Sequence, residues 1–252
     1  MEVLDACVTY GRPAVPVGRP YLSPDELLAD MDRLAVSESW CADWRALENS
    51  PAVGNGLLCE ELAGIERIPP VWTVLPTGTR EMLPPAKLLP AMREAGVEMV
   101  RAEPSRHGYV LTEWCCGELW AALEAARVPV LLVTGDWRGL DEMLAAHPKL
   151  PVLLTGMGYR ADRNLYPLLA RHANLYVETS TYLVNEGLRT VAERFGPGRL
   201  IFGTNAPTVC PEEGLGTLEF SGLNAAEAEP VAGGTLRALL AAAGKGLARA
   251  GR

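Results

Sequence analysis

The side chains able to do chemistry are few, and their spacing decides what they could do. Three histidines stand in 252 residues: His107, His147 and His172. A divalent metal site wants several imidazole and carboxylate groups converging on one point, and three scattered imidazoles supply little of that. Two lie in the segments HPKLP and RHANL, each just ahead of an apolar run, and His107 follows one. Elsewhere the polar groups fall at the ends of apolar runs: Thr9, Tyr10 and Arg12; Arg101, Glu103 and Arg106; Thr134 and Asp136; Glu178, Thr179 and Ser180; Thr204 and Asn205. Arg101 or Arg106 could clamp a carboxylate. Glu103, Asp136 or Glu178 could act as a general base if burial raised its pKa. Arg101 and Glu103 are spaced i, i+2 and so share one face of a strand. Each has a plainer role beside it: a salt bridge for the arginines and glutamates, an N-cap for Asp136 ahead of WRGLDEM. Cys7, His107 and Asp136 could form an unusual metal site, and Cys7 with His107 a nucleophile and base, against a buried first-strand thiol. Trp40, Trp44, Trp72, Trp114 and Trp137 could line a pocket or fill the core.

The elements that must position these groups alternate along the chain. MEVLDACV, SESWCADW, PPVWTVLP, VEMVRAEP, VPVLLVTGD, LPVLLTG, NLYVETS and RLIFGTNAP read as eight strands, near-continuous apolar runs of the kind buried on both faces. Helical periodicity separates them. SPDELLADMDRLAV has Ser23 as N-cap and Pro24 at the first helical position. PPAKLLPAMREAG closes at Gly96, and Thr112 stands ready to cap LTEWCCGELWAALEAAR. WRGLDEMLAAHP, NLYPLLARHA and NEGLRTVAERFG follow, and the tail from Asn224 is helical. Eight strand–helix units in a chain of this length predict a single α/β domain over residues 1–252, a (β/α)₈ TIM barrel. No G-x-G-x-x-G or P-loop supports the competing doubly wound sheet. Residues 49–67 read either as a loop over the barrel mouth or as a short helix outside it. On a barrel, His147 and His172 fall on the stabilising N-terminal face, and His107 on the face where sites are built.

Composition excludes some functions. With 23 Lys+Arg against 31 Asp+Glu the chain is acidic, net −8, and without a basic run it is a poor nucleic-acid binder. No apolar run approaches the roughly 20 residues of a membrane span, and the N-terminus does not read as a secretory signal, so a cytoplasmic location without membrane contact is expected. The six cysteines show no C-x-x-C or zinc-finger spacing and read as reduced thiols; a vicinal disulfide at Cys115–Cys116 is disfavoured by its geometry.

Several stretches resemble one family, the amidohydrolase-related barrels. HPKLPVLLTGMG resembles their HP-x-L-P-V-x-x-x-H-x-G, RHANLYVETS their R-H-x-N-x-Y-x-x-x-S, and FGPGRLIFGTNAP their F-G-x-x-R-x-x-F-G-T-D-x-P. LDACVTYG sits where they carry D-x-H-x-H-x-G, and AEAEPVAGGTLRALL resembles their terminal G-G-N-x-x-R-L-L helix. The resemblance, from about Asp5 to Leu240, implies a barrel holding one or two divalent metals at the strand ends, where they activate water or assist decarboxylation. It also implies a homodimer. Carried over position by position, the first-strand histidines fall on Cys7 and Thr9, the fifth-strand histidine on Val133 or Thr134, the sixth-strand histidine on Gly156, and the last-strand aspartate on Asn205. None of these keeps the ligand.

The expectation is therefore a barrel of this family without the usual metal, catalytically degenerate, binding a small, carboxylate-bearing ligand or a partner chain. Ligand-binding candidates are Arg101, Glu103, His107, Thr134 and Asn205, and no cofactor is expected. Two alternatives stand beside it. One is a metal-independent lactonase, isomerase or decarboxylase using Glu103 or Asp136. The other is a hydrolase with a relocated site for a divalent metal such as zinc.

Overall fold

A computed structural model describes residues 1–250. Its strands are β1 (Leu4–Tyr10), β2 (Glu38–Asp43), β3 (Trp72–Thr73), β4 (Val100–Ala102), β5 (Val130–Val133), β6 (Val152–Thr155), β7 (Leu175–Glu178) and β8 (Leu200–Ile201). β1 pairs with β2, and β3 to β8 form a parallel sheet in sequence order. Backbone bridges join the two pieces at both seams: Cys41 with Pro70 at one, Val8 with Ala206 at the other, where Ala6 N–H also donates to the Phe202 carbonyl at 3.0 Å. The eight strands thus close into a (β/α)₈ barrel.

Helices α1 (Pro24–Leu34), α2 (Trp44–Glu48), α3 (Pro51–Glu61), α4 (Pro85–Glu94), α5 (Pro104–His107), α6 (Glu113–Ala126), α7 (Trp137–Ala146), α8 (Asp162–Arg171), α9 (Gly187–Phe195), α10 (Pro211–Glu219), α11 (Ala225–Glu229) and α12 (Thr235–Ala250) fill the connections and the tail. Ser23 caps α1 as the sequence predicts, in a box with Glu26. Thr112 occupies the N-cap position of α6 without capping it by its side chain: its backbone carbonyl accepts from the Cys115 and Cys116 N–H groups, and its hydroxyl is buried without a partner among the described residues. Most of residues 49–67 form α3 (Pro51–Glu61), a helix between β2 and β3, so of the two open readings the helix is the one found. Asn55 fixes it, donating to the Thr73 carbonyl and accepting from the Thr73 N–H at 2.9 Å each. β3 is shorter than PPVWTVLP suggests because Pro69 and Pro70 have no N–H to give to a ladder.

Period-2 alternation divides the core into two layers. Val100, Leu132, Leu154, Val177 and Phe202 belong to the large cluster beneath the helices. Leu4, Trp40, Met99, Leu131, Leu153 and Ile201 fill the barrel interior, where Leu236 and Leu240 of α12 join them at the base. Two residues further along their strands, beyond this apolar plug, come Arg101, Val133, Thr155 and Gly203; Glu178 stands likewise beyond Tyr176. Among the described residues no helix is long and apolar enough to cross a membrane.

Candidate binding site at the barrel mouth

Arg101 emerges from the inner face of β4, 6% exposed. Its Nε and Nη2 donate to Glu103 Oε1 at 2.7 and 2.6 Å, and Nη1 donates to Thr9 Oγ1 at 3.1 Å. Arg106, on α5, donates from Nε to the other carboxylate oxygen of Glu103 at 2.6 Å. One buried carboxylate therefore orients two guanidinium groups. Burial alone would push Glu103 up, but Arg101 and Arg106 outweigh it and hold the carboxyl below its usual range. Burial works against the Arg101 cation too, and Glu103 more than restores it. The i, i+2 spacing read in the sequence thus yields an ion pair, and Glu103, with both oxygens taken, is a weak base.

Glu178 lies fully buried at the end of β7, accepting hydrogen bonds from Thr155 Oγ1 and from the hydroxyl and N–H of Ser180, the last two at 2.7 Å. Burial pushes its carboxyl up despite these donors. Gly203 makes room for it: a Cβ there would come within 2.3 Å of Glu178 Oε1. Asp5, whose side chain turns away toward α1, joins β1 to β8 by accepting from the Cys7 and Thr204 N–H groups at 3.0 Å each and from Thr204 Oγ1 at 2.6 Å.

The positions that the resemblance gives to metal ligands hold other chemistry. Cys7, 1% exposed, donates to Asn205 Oδ1 at 3.8 Å, and burial pushes its thiol well above the ordinary range. Thr9 is tied to Arg101. Gly156 has φ +73°, and a Cβ there would meet Val133 Cγ1 at 2.9 Å, so the loop has closed on the space a side chain would use. Asn205 has φ +52°, a left-handed conformation that asparagine tolerates. Among the described residues no three His, Cys, Asp or Glu side chains are grouped to hold a metal ion.

Two adjoining cavities open at the mouth. The first, about 400 Å³, is lined by Arg101, Glu103, Arg106, Asn205, Thr155 and Gly156 with the apolar Val15, Val17, Val133 and Trp44. The second, about 490 Å³, shares Glu103, Arg106, Val133 and Gly156 and adds Thr134, Met157 and Trp137. Trp44 is 6% exposed, and its indole N–H has no partner among the described residues. Sequence reasoning left Trp44 as one indole of five, because nothing in its spacing distinguishes it from Trp40 in the core or the exposed Trp114.

Two predicted residues lie elsewhere. His107 does stand on the mouth side, but it lines neither cavity: its Nε2 is 3.0 Å from the Leu47 carbonyl at the end of α2, where a helix leaves an acceptor unsatisfied. Asp136 caps α7, accepting from the Gly139 N–H at 2.9 Å, so its N-cap reading is the one the structure shows. Thr134 lines the second cavity and accepts from the Asp136 N–H at 3.0 Å. His147 pairs with Glu113 and Glu124, and His172 with Asp141, both away from the cavities. Cys115 and Cys116 are free thiols on α6.

The amidohydrolase family model matches residues 11–240. The chain belongs to the amidohydrolase family. The match begins after β1, so the places given to Cys7 and Thr9 rest on the likeness of LDACVTYG to the family's first strand. No curated protein matches the chain. Among solved structures, an uncharacterised TIM-barrel protein from Bordetella bronchiseptica is similar at TM-score 0.77 and 18% identity, covering 97% of this chain and 100% of that one. A 2,6-dihydroxybenzoate decarboxylase from Rhizobium has TM-score 0.75 and 14% identity, with 95% and 98% covered. A probable 2-pyrone-4,6-dicarboxylic acid hydrolase from Acinetobacter baumannii, solved with citric acid bound, has TM-score 0.69 and 12% identity, with 96% and 100% covered. At these identities the likeness shows the fold of the amidohydrolase barrels.

Proposed function

We propose that this amidohydrolase-family barrel works without a divalent metal and binds a small carboxylate-bearing molecule at its mouth, having lost metal-dependent hydrolysis. The observation that carries the reading is the array Arg101–Glu103–Arg106 in the wall of the first cavity. Glu103 fixes both guanidinium groups, and the two terminal nitrogens of Arg106 have no partner among the described residues. Fixed N–H forks are suited to carboxylate oxygens. Apolar Val15, Val17 and Trp44 face the remainder of a small molecule. The names of two neighbours support the class of ligand, since dihydroxybenzoate, pyrone dicarboxylate and the bound citrate are all carboxylates. Binding is favoured over acid–base catalysis because Glu103 has both oxygens taken by ion pairs and the Asp136 side chain is spent on capping α7.

Titration calorimetry with benzoate and with citrate tests this. At least one should bind to the wild-type protein, and Arg106→Ala should weaken it about tenfold, the effect of losing one charged hydrogen-bond partner. After dialysis against zinc or manganese and gel filtration, bound metal should stay well below one ion per chain. Stoichiometric metal, or no binding of either acid, would overturn the reading.

A further inference from the structure

Arg101 is the only Lys or Arg that is buried among the described residues, and it is buried beside Thr9, one of the positions that the resemblance gives to a metal ligand. Its side chain crosses from β4 to β1, since Nη1 reaches Thr9 Oγ1 at 3.1 Å. Glu103, Cys7 and Glu178 are the ionisable groups of the interior that favour its charge. The acceptors around it are matched to a monovalent, planar cation. Glu103 takes two of its N–H groups on one oxygen, Thr9 takes a third, and Gly203 lets Glu178 lie alongside. Cys7 and Asn205 bond to each other and ask for no ion.

We propose that the Arg101 guanidinium is the resident cation of this site, filling the place and supplying the positive charge that a divalent ion would supply, and thereby excluding such ions. The proposal rests on the metal-free reading above and adds its cause. A divalent ion among residues 7, 9, 156 and 205 would lie a few ångströms from a fixed like charge in a poorly solvated interior, where repulsion is weakly screened. The guanidinium cannot escape by losing its proton, because arginine does not deprotonate in proteins. The same fixed charge faces the first cavity, where it would attract the ligand's carboxylate.

The inference is tested by restoring ligands with and without the arginine. In Cys7→His/Thr9→His with Arg101 intact, zinc retained through gel filtration should stay below about a tenth of an ion per chain. Adding Arg101→Met should raise it to about one, because two imidazoles then share the interior with Glu103 and Glu178, and zinc takes four such ligands. Arg101→Gln in the same background, which leaves Glu103 a polar neighbour, should do likewise and serves if the methionine variant does not fold by circular dichroism. Arg101→Lys, keeping the charge, should leave zinc excluded. Zinc bound in the double variant with Arg101 present would overturn the proposal, as would folded Met and Gln variants that bind none. These outcomes are separate from the failure of the metal-free reading, which shows in the wild-type protein as bound metal or as indifference to carboxylates.

Discussion

The two ends of this barrel treat their buried polar groups in opposite ways. At the base, every conspicuous group is spent on structure. Asn174 donates to the carbonyls of His147 and Leu150 at 2.9 and 3.0 Å. Arg199 donates to the carbonyls of Leu175 and Leu169 at 2.8 and 3.2 Å and also to that of His172. His147 and His172 are each held by carboxylates. On the mouth side, the indole N–H of Trp44, the hydroxyls of Thr73, Tyr109 and Thr112, and Nδ1 of His107 are buried without a partner among the described residues. All five stand at or after the C-terminal ends of β2, β3 and β4. Native proteins leave few such groups unmet, because each costs about 1–3 kcal/mol. Their concentration on the mouth side, where Trp44 lines the first cavity, is what a face kept for binding would show, while the base is optimised for stability.

The largest test of that contrast is pH. Asp5, which fastens β1 to the mouth end of β8, is pushed up by burial from 3.8 to about 7. Its folded pKa lies above its unfolded one, so the folded chain keeps a proton that the unfolded chain releases. Its stabilisation is complete below pH 4 and declines as pH rises toward 7, by about 4 kcal/mol in all. Asp5→Asn should flatten the slope of unfolding free energy over that interval; an unchanged slope in denaturant titrations would show that the seam does not titrate. Next comes Arg199→Ala, which leaves three backbone carbonyls at the base without their donor. It should cost about 3 kcal/mol and leave carboxylate binding unaltered. A loss of binding beyond the loss of fold would break the division between the two ends.

How much of this was legible in the sequence depends on the range of the interaction. The barrel could be read because each strand and helix carries its own local pattern, down to the Ser23–Glu26 capping box. The pairing of Arg101 with Glu103 follows from alternation along one strand. The bond from Arg101 to Thr9 joins residues 92 positions apart, and only closure of the barrel brings them together. The direction of His107 depends on where α2 ends, and α2, five residues long, is too short to show a helical period in the sequence. Trp44 acquires meaning only from an N–H that nothing reaches, which is a property of packing and has no signature in spacing.

Two smaller effects sharpen the comparison within the mouth. Gly156→Ala would place a Cβ at φ +73° within 2.9 Å of Val133 Cγ1, and about 2 kcal/mol should be lost. Val133→Ala in the same chain should recover part of it; no recovery would mean that the backbone conformation, and not the closed space, is what excludes a side chain there. The smallest effect has the opposite sign. Tyr109→Phe removes a hydroxyl that is buried with no partner among the described residues, while keeping the ring. Deleting a group whose desolvation nothing offsets should raise stability by about 1 kcal/mol. Any comparable deletion at the base, such as Asn174→Leu, should lower stability instead, because the carbonyls it served remain buried. A Tyr109→Phe protein less stable than the parent in urea titrations would mean that the mouth's polar groups are satisfied after all, and the difference between the two faces would reduce to the charges around Arg101.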